Sequence, residues 1–237
     1  MNSILKKIFK TILILIGLIV IALVIAYFIL DKPLPKGENS VAADLLAQQM
    51  LTAINYDTFK ETSYLEWSFS GGSHHFIWDK ENGQVTVKWS DYTVHLNLKN
   101  PNESAVFEKN KAVKGDSKTH LINKATAYFN NDSFWLLAPF KVFDEGSKRT
   151  IVTLEDGTKS LLVTYTSGGT TPGDSYLWKL QPNGFPESYQ MWVKIIPIGG
   201  LEASWDDWKV MENGLFLPAT HKIGPITLYM RNVRAYN

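Results

Sequence analysis

Residues 12–30 carry no charged side chain, and nearly every one is aliphatic or aromatic. As an α-helix this run spans roughly 28 Å, close to the ~30 Å hydrocarbon core of a bilayer. Its isoleucines and valines weaken helix propensity in water. In lipid the backbone must satisfy its own hydrogen bonds, so the helix forms regardless. The competing reading is a cleavable signal peptide, whose apolar region would be about 7–15 residues and end at a small-residue site. Here the run is longer, ends in Tyr27-Phe28-Ile29-Leu30-Asp31-Lys32-Pro33, and no Ala-x-Ala pattern follows. A lipoprotein signal is excluded because the chain contains no cysteine. The expectation is an uncleaved anchor.

Lys6, Lys7 and Lys10 precede the span, whereas Asp31, Lys32, Lys36 and Glu38 follow it with mixed sign. This lysine bias predicts a single-pass protein of the cytoplasmic (inner) membrane. Residues 1–10 would be cytoplasmic, 11–30 transmembrane, 31–39 a linker, and 40–237 an extracytoplasmic, periplasmic β-rich domain. Pro33 and Pro35 stiffen the linker and Gly37 breaks it, holding the domain close to the bilayer. The remainder is long enough for one domain with a sizeable core. Without cysteine there is no thiol catalysis and no cysteine-bound metal. A formal net charge of +1 with no basic stripe argues against nucleic acid as a partner.

The linker leads into a helix that Asn39 or Ser40 can cap. Ala43, Leu46, Ala47, Met50, Leu51 and Ile54 fall on one helical face, and neither Pro nor Gly interrupts residues 40–60. The period then changes to two. Leu65, Trp67 and Phe69 alternate with polar neighbours, as do Phe76 and Trp78, then Val85, Val87 and Trp89, then Val94, Leu96 and Leu98. These are half-buried antiparallel strands. Glu81-Asn82-Gly83 reads as a tight hairpin turn. A second helix, capped by Asp116 or Ser117, carries Leu121, Ile122, Ala125, Tyr128 and Phe129 and ends at Asn130-Asn131. The apolar segment 134–140 follows, with Pro139 preventing a regular helix or central strand from continuing through it. Strands resume near 150–154, 160–166, 175–180, 188–196, 201–211, 215–222 and 226–233. Asp156-Gly157, Asn183-Gly184 and Asn213-Gly214 punctuate them. The fold class is therefore mainly β with helices (α+β), one large curved antiparallel sheet covered by two or three helices. Successive hairpins exclude a doubly wound fold.

Catalytic and metal motifs are not evident. His74 and His75 are strand neighbours pointing to opposite faces, so they cannot chelate one metal together. His95, His120 and His221 are isolated and read as surface or strand-edge residues. There is no Gly-x-Ser-x-Gly elbow around Ser73 or elsewhere. The loop 167–174 matches neither Gly-x-Gly-x-x-Gly nor a P-loop. Asp206 and Asp207 are not a dyad. Apolar parity switches across them, from Leu201, Ala203 and Trp205 to Trp208 and Val210, as a β-bulge would make it. No cofactor is expected and no enzyme activity is assigned.

The unusual feature is aromatic content. All eight tryptophans lie beyond residue 40: Trp67, Trp78, Trp89, Trp135, Trp178, Trp192, Trp205 and Trp208. They could fill a core between sheet and helices. A curved sheet lined by large apolar side chains could instead hold an acyl chain, each buried methylene contributing about 0.8 kcal/mol. Exposed tryptophans could also stack on sugars or sit at a membrane interface.

The order of elements resembles the lipoprotein-carrier fold of LolA and LolB, an unclosed barrel whose concave side is covered by helices. The likeness is carried by Leu65-Glu66-Trp67-Ser68-Phe69, His75-Phe76-Ile77-Trp78-Asp79 and the stretch from Asn130 through Phe134, Trp135 and Phe140. The resemblance implies a hydrophobic cavity that receives acyl chains. A shuttling carrier is soluble and its receptor is lipid-anchored, so a transmembrane anchor leaves apolar-ligand binding as the property to carry over. Three readings follow: a membrane-tethered, non-catalytic binding module for a lipid or lipoprotein acyl chain; a structural or protein-interaction domain of the cell envelope with a filled core; and a hydrolase whose site the sequence hides. The binding reading places the ligand against Trp67, Phe69, Phe76, Trp78, Trp89, Phe134, Trp135 and Phe140, with 134–140 as a lid or plug.

Overall fold

The computed structural model describes residues 3–167 and 171–237; of the 167–174 loop, residues 168–170 lie outside the described residues. The apolar run forms one helix, α1, Ser3–Leu30. It is long and apolar enough over Lys7–Leu30 to cross a membrane, and among its described residues none is buried against the rest of the chain.

The linker is docked onto the domain. Trp192 donates its indole N–H to the Lys32 carbonyl at 2.7 Å, and Lys32 N–H donates to Gly199 O at 2.9 Å. Asp31 Oδ1 accepts from Gly199 N–H at 2.7 Å. Glu38 and Ile151 exchange both backbone hydrogen bonds, at 2.8 and 3.0 Å. The fit is close: a Cβ on Gly199 would sit 2.7 Å from Lys32 O and from the Trp192 ring.

Helix α2, Val41–Ala53, is capped by Ser40, whose Oγ accepts from Ala42 N–H at 2.9 Å. It buries Ala43, Ala47, Met50 and Leu51. The helical run from 40 to 60 does break: Asn55 adopts φ 60° and α3, Tyr56–Glu61, starts afresh. Asn tolerates the left-handed region better than most residues, and its side-chain amide here donates to Gly214 O at 3.1 Å.

The first sheet then forms in succession: β1 Tyr64–Phe69, β2 His74–Asp79, β3 Gln84–Trp89, β4 Tyr92–Asn97, β5 Ala105–Glu108 and β6 Lys111–Ala112. The β2–β3 turn is looser than the Asn-Gly pair suggests. Gly83 has positive φ but Asn82 does not, and Asp79 Oδ1 instead accepts from Asn82 N–H. Helix α4, Gly115–Leu137, follows and corrects three expectations. Its N-cap is Lys114 rather than Asp116 or Ser117. It runs straight through Asn130-Asn131, because Phe129, Asp132, Ser133, Leu136 and Leu137 are all buried and tertiary packing outweighs weak Asn propensity. The segment 134–140 is the last turn of this helix plus a 3-10 turn, Ala138–Lys141, with Pro139 in the first turn of the latter, where proline is tolerated.

The second sheet comprises β7 Ser147–Thr153, β8 Lys159–Tyr165, β9 Ser175–Leu180, β10 Pro186–Trp192 and β11 Leu201–Ser204. Two short hairpins follow, β12 Lys209–Val210 with β13 Phe216–Leu217, and β14 Thr220–Ile223 with β15 Ile226–Tyr229. The last strand, β16 Arg231–Tyr236, returns to pair with β1 through Tyr64↔Tyr236 and Leu65↔Ala235. Among the described residues the large sheets run β16-β1-β2-β3-β4-β5-β6 and β11-β10-β9-β8-β7, with every pairing between them antiparallel. The surface is thus an antiparallel sheet divided in two and not closed into a barrel. One continuous core joins the halves, drawing Leu65, Trp67 and Phe76 from the first and Leu161, Trp178 and Tyr189 from the second.

The parity switch appears as a broken ladder. β11 stops at Ser204, Asp207 takes φ 51°, and β12 begins at Lys209. Trp205 is buried, Trp208 packs on the same core, and their rings lie 6.2 Å apart.

Candidate ligand-binding site

Helix α4 crosses the interior and divides its aromatics into two groups. The helix as far as Phe129 packs on the first sheet. There Trp67 and Phe76 stack at 4.9 Å, and Phe129 meets Trp67 at 6.0 Å, Phe76 at 6.4 Å and Trp78 at 5.5 Å. The residue before it, Tyr128, meets Trp89 at 5.5 Å. Its last turns pack on the second sheet. Phe134 lies 4.7 Å from Tyr176 and 6.0 Å from Tyr165; Trp135 lies 6.1 Å from Tyr189 and 5.3 Å from His221. Behind them Trp178, Tyr189 and Trp205 pack mutually at 5.1–5.5 Å, and His221 meets Trp205 edge-on at 4.6 Å.

The eight residues expected at the site therefore separate. Trp67, Phe76 and Trp78 come together around Phe129, with Trp89 against the adjacent Tyr128. Phe134 and Trp135 face the other sheet. Phe140 stacks on Phe59 at 4.5 Å beside α3, and Phe69 is buried at the end of β1. Tyr165, Tyr176, Trp178, Tyr189, Trp205 and His221 are not among the expected site residues. For Tyr176, Trp178 and Tyr189 the sequence signal is alternation along β9 and β10, which marks any sheet face.

What distinguishes this interior from a hydrocarbon core is its polar atoms. The buried indole N–H groups of Trp67, Trp78, Trp89, Trp178 and Trp205 have no hydrogen-bond partner among the described residues. Neither do the hydroxyls of Tyr165 and Tyr189, nor His221 Nε2. Stranding such a group costs about 1–3 kcal/mol, and folded proteins leave few. Burial drives the phenols of Tyr165 and Tyr189 well above their usual range and raises Tyr176 as well. They stay neutral and keep their protons for donation. Burial lowers His221 to about 4, opposed by its backbone contacts to Ser204 and Trp135. His221 Nδ1 donates to Ser204 O at 2.9 Å. The expectation of a surface histidine fails here, because β14 folds across the second sheet and takes the ring inside.

Three residues beyond Phe129, α4 carries a second polar feature. Asp132 is buried, and its Oδ2 accepts from His74 Nδ1 at 2.7 Å; the imidazole stacks on Tyr128 at 3.9 Å. Burial raises the Asp132 carboxyl, with Asn131 and His74 opposing. No group of three or more His, Cys, Asp or Glu able to hold a metal occurs among the described residues.

Two surface grooves are present. One of about 350 Å³ lies on the first sheet, lined by Trp67, Phe76 and Ile77 together with Glu66, Ser68, His75, Thr86, Lys88 and Asn232. The other, about 500 Å³, is bordered by Asp207, Lys209, Tyr229 and Arg231. Neither is walled by the interior aromatics of the second sheet.

No family model matches the chain and no curated protein matches it. Among solved structures it is similar to a DUF1329 family protein from Desulfovibrio piger, at 12% identity and TM-score 0.41, covering 84% of this chain and 93% of that one.

Proposed function

We propose that the chain is a membrane-tethered, non-catalytic binding module for a lipid or other apolar ligand that carries hydrogen-bond acceptors. Support comes chiefly from the buried indole N–H and phenol O–H donors that the protein leaves without partners. A ligand with an apolar body and ester or amide oxygens complements such a surface: rings take the body and N–H and O–H groups take the oxygens. α4 is the element that has to yield, since its side chains touch both aromatic groups. A filled-core interaction domain is the second reading, favoured by the insertion of Phe129 among Trp67, Phe76 and Trp78.

Photocrosslinking separates the two. The full chain in nanodiscs is exposed to a diazirine-bearing fatty acid and adducts are mapped by peptide mass spectrometry. Binding predicts adducts on β9 and β10 as well as on α1, and several-fold fewer sheet adducts in Tyr189→Phe. Adducts confined to α1, together with a Tyr189→Phe protein stabilised by about 1 kcal/mol through loss of a stranded hydroxyl, would sink the binding reading and leave the filled core.

A further inference from the structure

The contacts that dock the linker also fix a loop at the end of the membrane helix. α1 ends at Leu30, and the next two residues hold Trp192 and Gly199 by the three hydrogen bonds described above. The residues between them, Val193-Lys194-Ile195-Ile196-Pro197-Ile198, therefore leave and rejoin the domain beside the helix terminus. Ile195 is three residues from Trp192, so it lies within about 11 Å of that residue along the chain. The polar headgroup layer is itself about 5–8 Å deep on each side of the hydrocarbon.

The loop is built as a presented turn. Ile196 N–H donates to Val193 O at 3.1 Å, and both side chains pack on the core. Lys194 N–H donates to Asp174 Oδ1 at 3.0 Å. Ile195, between the packed pair, is 69% exposed. An isoleucine held outward by its neighbours gains nothing from water. Trp192, whose indole N–H is satisfied by the chain emerging from the helix, has the amphipathic character that enriches tryptophan at bilayer interfaces. Lys32 and Lys194 are exposed beside it and suit anionic headgroups.

We infer that the loop 193–198 is a second membrane contact: Ile195 inserts into the headgroup–acyl boundary of the bilayer that α1 crosses, so the domain is seated on the membrane in one orientation. This rests on α1 spanning that bilayer. Because the chain has no cysteine, single cysteines report unambiguously. Leu18→Cys, Ile195→Cys and Ile226→Cys are each made in the full chain, labelled with an environment-sensitive fluorophore, and placed in nanodiscs of phosphatidylethanolamine and phosphatidylglycerol. Quenching is measured with lipids spin-labelled near the headgroup or deep in the chain. Ile226, 58% exposed on the β14–β15 hairpin, is the control for an exposed isoleucine outside this loop. The expected result is deep quenching at Leu18, headgroup-level quenching with a blue shift at Ile195, and at least threefold less quenching at Ile226. Quenching at Leu18 with Ile195 no different from Ile226 overturns the inference and leaves the span intact. Absence of quenching at Leu18 overturns the span and the inference together.

Discussion

His221 is the residue whose environment departs furthest from what its sequence neighbourhood suggests. It is fully buried, between Trp135 and Trp205, with Nδ1 on the Ser204 carbonyl. Burial holds its folded-state value at about 4 against 6.5 for the unconstrained side chain. The unfolded chain therefore takes up the proton first. Stability is complete above about pH 6.5 and is lost as pH falls toward 4, by on the order of 3 kcal/mol in all. Urea unfolding in detergent at pH 7.5 and pH 4.5 should show this loss in the wild type. The pH dependence should be markedly flatter in His221→Gln, which keeps a donor for Ser204 O but has nothing to protonate. Equal pH dependence in the two proteins would show that the ring is not desolvated.

At the scale of the element, α4 is the organising piece. Its buried positions alternate between two sheets, Leu121, Ile122, Ala125 and Phe129 first and Leu136 and Leu137 last. A helix ending at Asn130-Asn131 would have reached only the first. Phe129 contacts three aromatic residues of that sheet, so Phe129→Ala leaves a cavity among rings that cannot collapse to fill it. A loss of about 3–5 kcal/mol is expected, read as a lower urea midpoint with unchanged slope. A loss below 1 kcal/mol would mean that the helix is not seated between the sheets. Residues 201–211 make the complementary point. The change of apolar parity across Asp206-Asp207 is legible in sequence as a break in a strand. That Trp205 and Trp208 then share one core follows from the positive φ at Asp207.

For the molecule as a whole, α1 and the domain are joined by a docked linker. Glu38 extends the edge of β7 and Lys32 is clasped by the loop before β11, so the linker transmits the pose of α1 directly to the second sheet. The lysine bias of Lys6, Lys7 and Lys10 ahead of the apolar run carries an expectation for orientation. A reporter active only outside the cytoplasm, fused after Asn237, should be active while the intact chain fractionates with membranes. An inactive reporter would reverse the orientation, and a soluble product beginning near Asp31 would mean the helix is removed.

The sequence alone determined the features whose cause is local. An apolar run as long as the bilayer is thick must be a membrane-length helix, and period-two alternation must be a half-buried strand. A cap at Asn39 or Ser40 follows from a polar pair next to an apolar helical pattern, and the fold uses Ser40. Only the tertiary structure decided that β16 comes back to β1, that the sheet divides in two, and that α4 outruns its asparagines. It also decided that Trp178, Tyr189, Trp205 and His221 meet. Each of these depends on contacts between residues far apart in the chain, and nothing in one segment encodes which distant segment will bury it. The candidate site was half legible for the same reason. Aromatic residues on one strand announce a dry face, but which faces come together, and which buried N–H and O–H groups are left without partners, is settled only when the sheets and α4 close around one interior.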